Sequence, residues 1–136
     1  MLPKWVSILL ECNAALDFLI FLAPEKIAVR DLLGRRLPEK PEGYERLDQG
    51  SKDLVDVALK LGAYAFLTHG MVRLSAGLSG TPVVCRMAVA SYIIELIQAL
   101  VMVKKGHMAV KDFIPVAVIT IGMGALTAFF GRKQKE

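Results

Sequence analysis

Glu11, Asp17, His69 and Glu95 are the residues of this sequence whose chemistry demands an account. Each lies within an apolar run long enough to cross a lipid bilayer. Carboxyl and imidazole groups at that depth can form a proton or ion relay, or they can be held by partner side chains. Basic residues stand in the same runs: Lys60, Arg73 and Arg86. The stretch Asp53 to Leu78 carries the densest set, with Asp56, Lys60, His69 and Arg73. On a helix, Asp56 and Lys60 project ~140° away from His69 and Arg73, so no single wet stripe follows this segment. Snorkelling of Lys60 and Arg73 in opposite directions lets the segment span.

Depth favours pairing over a relay. Measured from the side that holds the termini, Glu11 lies ~9 Å deep, Arg73 ~8 Å and Arg86 ~6 Å by helical rise. The expected contact is therefore Glu11 with Arg73 or Arg86. Glu95 has no base at its own level on this count, which leaves Lys60 or a partner protein as its donor. Ala88, Ser91, Glu95 and Gln98 form a small-and-polar stripe of the kind that faces other helices, and Thr120, Gly124 and Ala128 repeat at a spacing that permits close helix approach.

Familiar catalytic and cofactor chemistries lack their spacing. His69 and His107 belong to opposite sides of the membrane, so they make no facing pair for a haem. There is no H-x-x-x-H, no nucleophile elbow, no phosphate loop and no dinucleotide glycine pattern. Cys12 and Cys85 have no metal-site or C-x-x-C partner and read as free buried thiols. The expectation is no catalytic residue, no cofactor and no metal.

The elements that hold these residues follow from composition. Of 136 residues, 54% are hydrophobic, too many for a single soluble domain to hide. The formal charge of +4 comes from basic residues that flank apolar runs, a membrane pattern and not a nucleic-acid-binding face. The expected fold is an all-α, integral membrane four-helix bundle with short antiparallel hairpins, one domain over 1–136. Its helices fall at about 5–23, 54–78, 82–103 and 113–130, joined by a hydrophilic link over 24–52. The first could instead lie in the interface as an amphipathic helix.

The link mixes seven basic and seven acidic residues over 24–53. It reads either as a solvated loop or as a docking segment, with a short helix between Pro24 and Gly34. Leu78-Ser79-Gly80-Thr81-Pro82 reads as a tight turn, with Thr81 able to cap a helix that starts at Pro82. The first and third connections hold more Lys and Arg than the termini, which places them inside by the positive-inside rule. The N-terminus has neither the pattern of a secretory signal nor that of a cleaved presequence.

From Asp53 onward the order of features resembles the small four-helix scaffold family of ergosterol biosynthesis in the endoplasmic reticulum. The shared features are a helix with a glycine-aromatic middle and a late arginine (LGAYAFLTHGMVRLSAGL), a span with an internal glutamate (SYIIELIQAL) and a final glycine-containing span (IPVAVITIGMGALTAFFGRK). The charged link departs from that family. The resemblance implies a non-enzymatic tether that gathers membrane enzymes.

Small size, basic character and interior polar residues without a catalytic set point first to a non-catalytic accessory subunit of a membrane complex. The expected site is the mitochondrial inner membrane, in a respiratory or ATP synthase assembly. The expected partners are other membrane subunits and lipids. The sterol scaffold is the alternative, and a small transporter or membrane enzyme that uses Glu95 and His69 is the third reading.

Overall fold

The computed structural model describes residues 2–22, 43–106 and 108–132. Expectations for the short helix after Pro24, for residues 23–42 and for His107 lie outside them. The described residues form four α-helices and no strand: α1 (Lys4–Leu22), α2 (Gln49–Ser79), α3 (Pro82–Lys104) and α4 (Val110–Arg132), with a 3₁₀ turn at Tyr44–Arg46. Three segments, Lys4–Leu22, Pro82–Lys104 and Val110–Gly131, are long and apolar enough to cross a membrane. The chain is thus all-α with the character of a membrane protein. The α2 segment is not among the three. Its 31 residues begin five positions before the expected start at 54.

That earlier start has a local cause. Asp48 caps α2: its side chain accepts from the Ser51 backbone N–H at 3.0 Å and from the Ser51 hydroxyl at 2.6 Å. Apolarity marks where a span begins, whereas the cap marks where the helix begins. Hydrogen bonds from the Ser51 side chain and then from its backbone hold the Asp48 carboxyl below its ordinary pKa. A lowered folded-state pKa means the cap contributes above the ordinary carboxylate pKa and is lost as pH falls through the lowered value. Asp48→Ala should therefore lower the protection of the Ser51 amide against hydrogen exchange at neutral pH, and acidification should lower its protection factor in the unchanged protein once the slower intrinsic exchange at low pH is divided out.

Neighbouring helices run antiparallel. The α2–α3 hairpin turns at Gly80, whose φ of 61° suits glycine and whose N–H donates to the Ala76 carbonyl at 2.9 Å. Thr81 occupies the N-cap position with Pro82 at the first turn, though its hydroxyl makes no capping bond. α1 packs most extensively on α2, and α3 on α4. Close approach is set by glycine. A methyl group added at Gly70 would lie 3.2 Å from the Ala14 carbonyl, and one at Gly77 would lie 3.1 Å from the Ser7 carbonyl. On the other pair, Gly131 backs onto Cys85 and Gly124 onto Tyr92.

The core is built from Leu2, Val6, Leu10, Ala76, Cys85, Ala88 and Tyr92, near the end of the bundle that holds the tight turn. There the Trp5 ring meets Phe130 edge-on at 5.4 Å. Cys85 is buried as expected, but Cys12 is exposed on α1, because it falls on the face away from α2.

Candidate functional site: a buried three-helix ion cluster

Arg73 organises the interior. It is 1% exposed, and its guanidinium meets acceptors from two other helices. Nη1 donates to Asp17 Oδ2 of α1 at 2.7 Å, Nη2 to Glu95 Oε2 of α3 at 2.6 Å, and Nε to the Ser91 hydroxyl at 3.2 Å. Ser91 in turn donates to the Ala88 carbonyl at 2.7 Å. The Tyr92 ring lies against the guanidinium, 4.0 Å from Cζ, and its hydroxyl donates to Asn13 Oδ1 at 2.7 Å. Asp17, Ser91 and Glu95 are all buried. Taking such charges out of water costs several kcal/mol per ion, which short charge-assisted hydrogen bonds must offset.

This pairing replaces the expected ones. Glu11 does not reach Arg73 or Arg86: it is half-buried against Gly77, and Arg86 is exposed. Glu95 takes its donor from Arg73, not from Lys60, which is exposed. The reason lies in side-chain direction. A helical Cα–Cβ bond leans toward the helix N-terminus. Asp17 and Glu95 each stand thirteen residues into helices that run the same way, from Lys4 and Pro82. Both lean back toward the end that holds the tight turn. Arg73 is on the antiparallel helix and leans the opposite way, toward them. Counting depth at Cα alone missed a convergence of about 10 Å made by three leaning side chains.

The remaining candidates distribute as follows. His69 is half-buried one turn before Arg73 and makes no hydrogen bond or ion pair among the described residues. Gln98 is exposed, and Ala99 takes its place on the buried face after Ala88, Ser91, Tyr92 and Glu95. On α4 the buried face carries Val116, Thr120, Thr127 and Gly131, with Gly124 against Tyr92 and Ala128 only half-buried. Steps of three and four alternate in a packed helix, so a strict four-residue repeat drifts off the face. Thr120 and Thr127 return their hydroxyls to the Val116 and Met123 carbonyls, both at 2.7 Å. Asn13 and Tyr92 join the site without being among the residues expected in it; the i,i+4 spacing of Asn13 and Asp17 puts those two on one face, whereas nothing in the sequence pairs Tyr92 with Asn13.

Lysines mark a level at the far end. Lys60 precedes Arg73 by thirteen residues, Lys104 follows Ser91 by thirteen, Lys105 follows Tyr92 by thirteen and Lys111 precedes Gly124 by thirteen. Arg73 contacts Ser91 and Tyr92 contacts Gly124, so all four lysines stand ~20 Å from the cluster on one side. No group of three or more His, Cys, Asp or Glu side chains suited to a metal ion occurs among the described residues. No family model, curated protein or solved structure matches the chain.

Proposed function

We propose that the chain is a non-catalytic subunit of a larger membrane assembly, a four-span bundle whose interior charges hold its own helices together. One observation carries this reading. Of the side chains a relay would use, Glu11, Asp17, His69 and Glu95, the two buried acids, Asp17 and Glu95, are both bonded to Arg73 at a single level across three helices. A clamp of this kind fixes helix positions and leaves the outer surface for neighbours.

The fourth span is α2 from Leu61 to Ser79. Arg73 is its one charged residue, and that charge is buried against two carboxylates instead of facing lipid. Hydropathy counts Arg73 as though it were lipid-exposed, which lowers the score of an otherwise apolar segment. The four lysines at the far end and Lys4, Trp5 and Arg86 at the near end stand where the two membrane interfaces would fall.

On size, charge and polytopic character we place the assembly in the mitochondrial inner membrane. The sterol-scaffold resemblance leads to the same class of function in the endoplasmic reticulum. Its two landmarks, the late arginine Arg73 and the internal glutamate Glu95, are partners in one ion pair here. Organelle fractionation separates the compartments. Blue-native electrophoresis of mild-detergent membranes tests the subunit reading, which expects migration well above the mass of the 14.9 kDa chain; migration as a free small protein would sink it.

Glu95→Gln separates this reading from a transporter or membrane enzyme. Glutamine still offers Arg73 an acceptor but removes the negative charge of the pair and the capacity to take up and release a proton. Assembly and any associated activity should then change together. Wild-type assembly with activity abolished would instead favour a proton-handling role for Glu95.

A further inference from the structure

We propose that the groove between α2 and α3 takes a transmembrane helix of another subunit, through hydrogen bonds of His69 and Gln98 to an amide or hydroxyl side chain of that helix. This rests on the subunit reading and gives it a contact point. His69 and Gln98 are polar side chains of the spans that take no part in the ion cluster. His69 is half-buried, Gln98 is exposed, and neither makes a hydrogen bond among the described residues.

Both stand on the walls of one groove. Gly70 and Gly77 back onto α1. His69 and Ala76 lie about 100° around the helix from them, past Arg73, on the side of α3. Gln98 follows Ser91 by seven residues and shares its side of α3, and Ser91 is bonded to Arg73 of α2. The levels match as well. Arg73 bonds both Ser91 and Glu95. One turn nearer the lysine level, at His69, the matching span of α3 is 95–99, which contains Gln98. On antiparallel helices the two side chains also lean toward each other. They do not meet, because the helices part at this level. α2 packs far less on α3 than on α1. A Cβ at Gly62, on the inner row with Phe66 and Arg73, would meet nothing within 4 Å.

Depth decides what fills the groove. His69 is nine residues from Lys60 and ten from Ser79, or ~14 and ~15 Å. Hydrocarbon offers no hydrogen bond there, and headgroups do not reach it. The chain's own described groups near that depth are engaged: Asn13 with Tyr92, Asp17 and Glu95 with Arg73, Thr68 and Thr120 with carbonyls of their own helices. Leu22 ends α1 nine residues past Asn13, and Tyr44 is bonded to Asp56 beyond Lys60. Both therefore stand near the lysine level and not beside His69. A second copy related by a two-fold axis sets groove against groove and fills neither. A single helix of a different protein fills it, and the small residues Gly62 and Ala65 let that backbone come close. A neutral amide or hydroxyl suits the site, because an acid would face Asp17 and Glu95 and a free charge is costly at that depth.

His69→Leu/Gln98→Leu tests the site, read by blue-native electrophoresis of mild-detergent membranes and by thermal unfolding of the purified chain. Leucine removes hydrogen-bonding groups that the chain itself does not use. The purified variant should be at least as stable as the unchanged chain, while the fraction in the high-mass assembly should fall about tenfold. His69→Gln keeps a donor and an acceptor and should retain most of the assembly. A photoreactive diazirine residue at Ala65 should crosslink to a protein of different mass, and the double leucine variant should lose that product. Undiminished assembly of the double variant would overturn this inference and leave the subunit reading standing. Migration of the unchanged chain as a free small protein would sink both. Lower stability of the purified double variant, failure of His69→Gln, or a crosslink confined to lipid, to the same chain or to a second tagged copy would also overturn the docking site.

Discussion

Arg73→Leu should be the most damaging single substitution in the chain. It leaves Asp17 and Glu95 buried without the guanidinium that bonds both. Removing one partner of a buried ion pair costs about 3–5 kcal/mol, because a charge remains that neither water nor protein solvates. Here two acids are left together, so the expected outcome is a chain that fails to accumulate in membranes or unfolds in mild detergent. Arg73→Lys should recover little, since a single ammonium cannot present the planar donors that reach Asp17, Ser91 and Glu95 together. Asp17→Asn and Glu95→Gln should each be milder, because an amide oxygen still accepts from Arg73. Thermal unfolding of the purified variants, followed by aggregation midpoint, checks the order.

Gly77→Val and Gly70→Val should come next, and together they should separate α1 from α2. A Cβ at Gly77 would sit 3.0 Å from Glu11 Cγ and 3.1 Å from the Ser7 carbonyl. One at Gly70 would sit 3.1 Å from Asp17 Cβ and 3.2 Å from the Ala14 carbonyl. Backbone atoms yield only if the whole helix moves. Overpacking of this sort costs about 1–3 kcal/mol per site, and at Gly70 any shift also drags Asp17 away from Arg73. Gly62 and Gly122 provide the contrast, since an added Cβ at either meets nothing within 4 Å. Gly62→Ala and Gly122→Ala should be neutral or mildly stabilising, because alanine favours helix over glycine by about 1 kcal/mol. Loss of stability of similar size at all four sites would contradict the close-approach account.

The elements were legible where apolarity and turn chemistry coincide. Gly80 and Pro82 mark the hairpin in the sequence, and the hairpin forms there with Gly80 in the left-handed region that its φ of 61° requires. The all-α character and the three segments long and apolar enough to cross a membrane follow from run length alone. The start of α2 was not legible from apolarity, because Asp48 and Ser51 set it by capping in a charged stretch. Burial of Ser91 and Glu95 could be read from their common stripe. Their partner could not be read from helical depth, because the lean of each side chain along its axis is as large as the separation being measured. The same limit hid the bond of Tyr92 to Asn13, which joins α1 to α3 across 79 residues of sequence. Gln98 continues a row through Ala88, Ser91 and Glu95, whereas the buried row runs through Ala88, Tyr92, Glu95 and Ala99; Ala128 continues a strict four-residue repeat, whereas burial steps by three from Gly124 to Thr127.

The α2 segment shows how a single residue can change meaning with its neighbours. In sequence, Arg73 and His69 beside Asp56 and Lys60 suggest a helix with ionisable groups on two sides. In the fold, Arg73 turns inward to two acids, Lys60 stands with the other lysines, and Asp56 holds Tyr44 against the N-terminal part of α2. His69 has no such bond among the described residues.

On the proposed reading, the buried charges Asp17, Arg73 and Glu95 serve structure and do no chemistry of their own. Replacing all three at once tests it most directly. A chain carrying Asp17→Leu, Arg73→Met and Glu95→Leu has no buried charge in the cluster and keeps much of its volume. Such neutral replacements are often tolerated, or even stabilising, where single removals are not. Blue-native migration of this triple variant should match that of the unchanged protein, with Arg73→Leu alone absent from the assembly. A triple variant that folds and inserts but stays outside the assembly, or that joins it and leaves the assembly inactive, would contradict the claim.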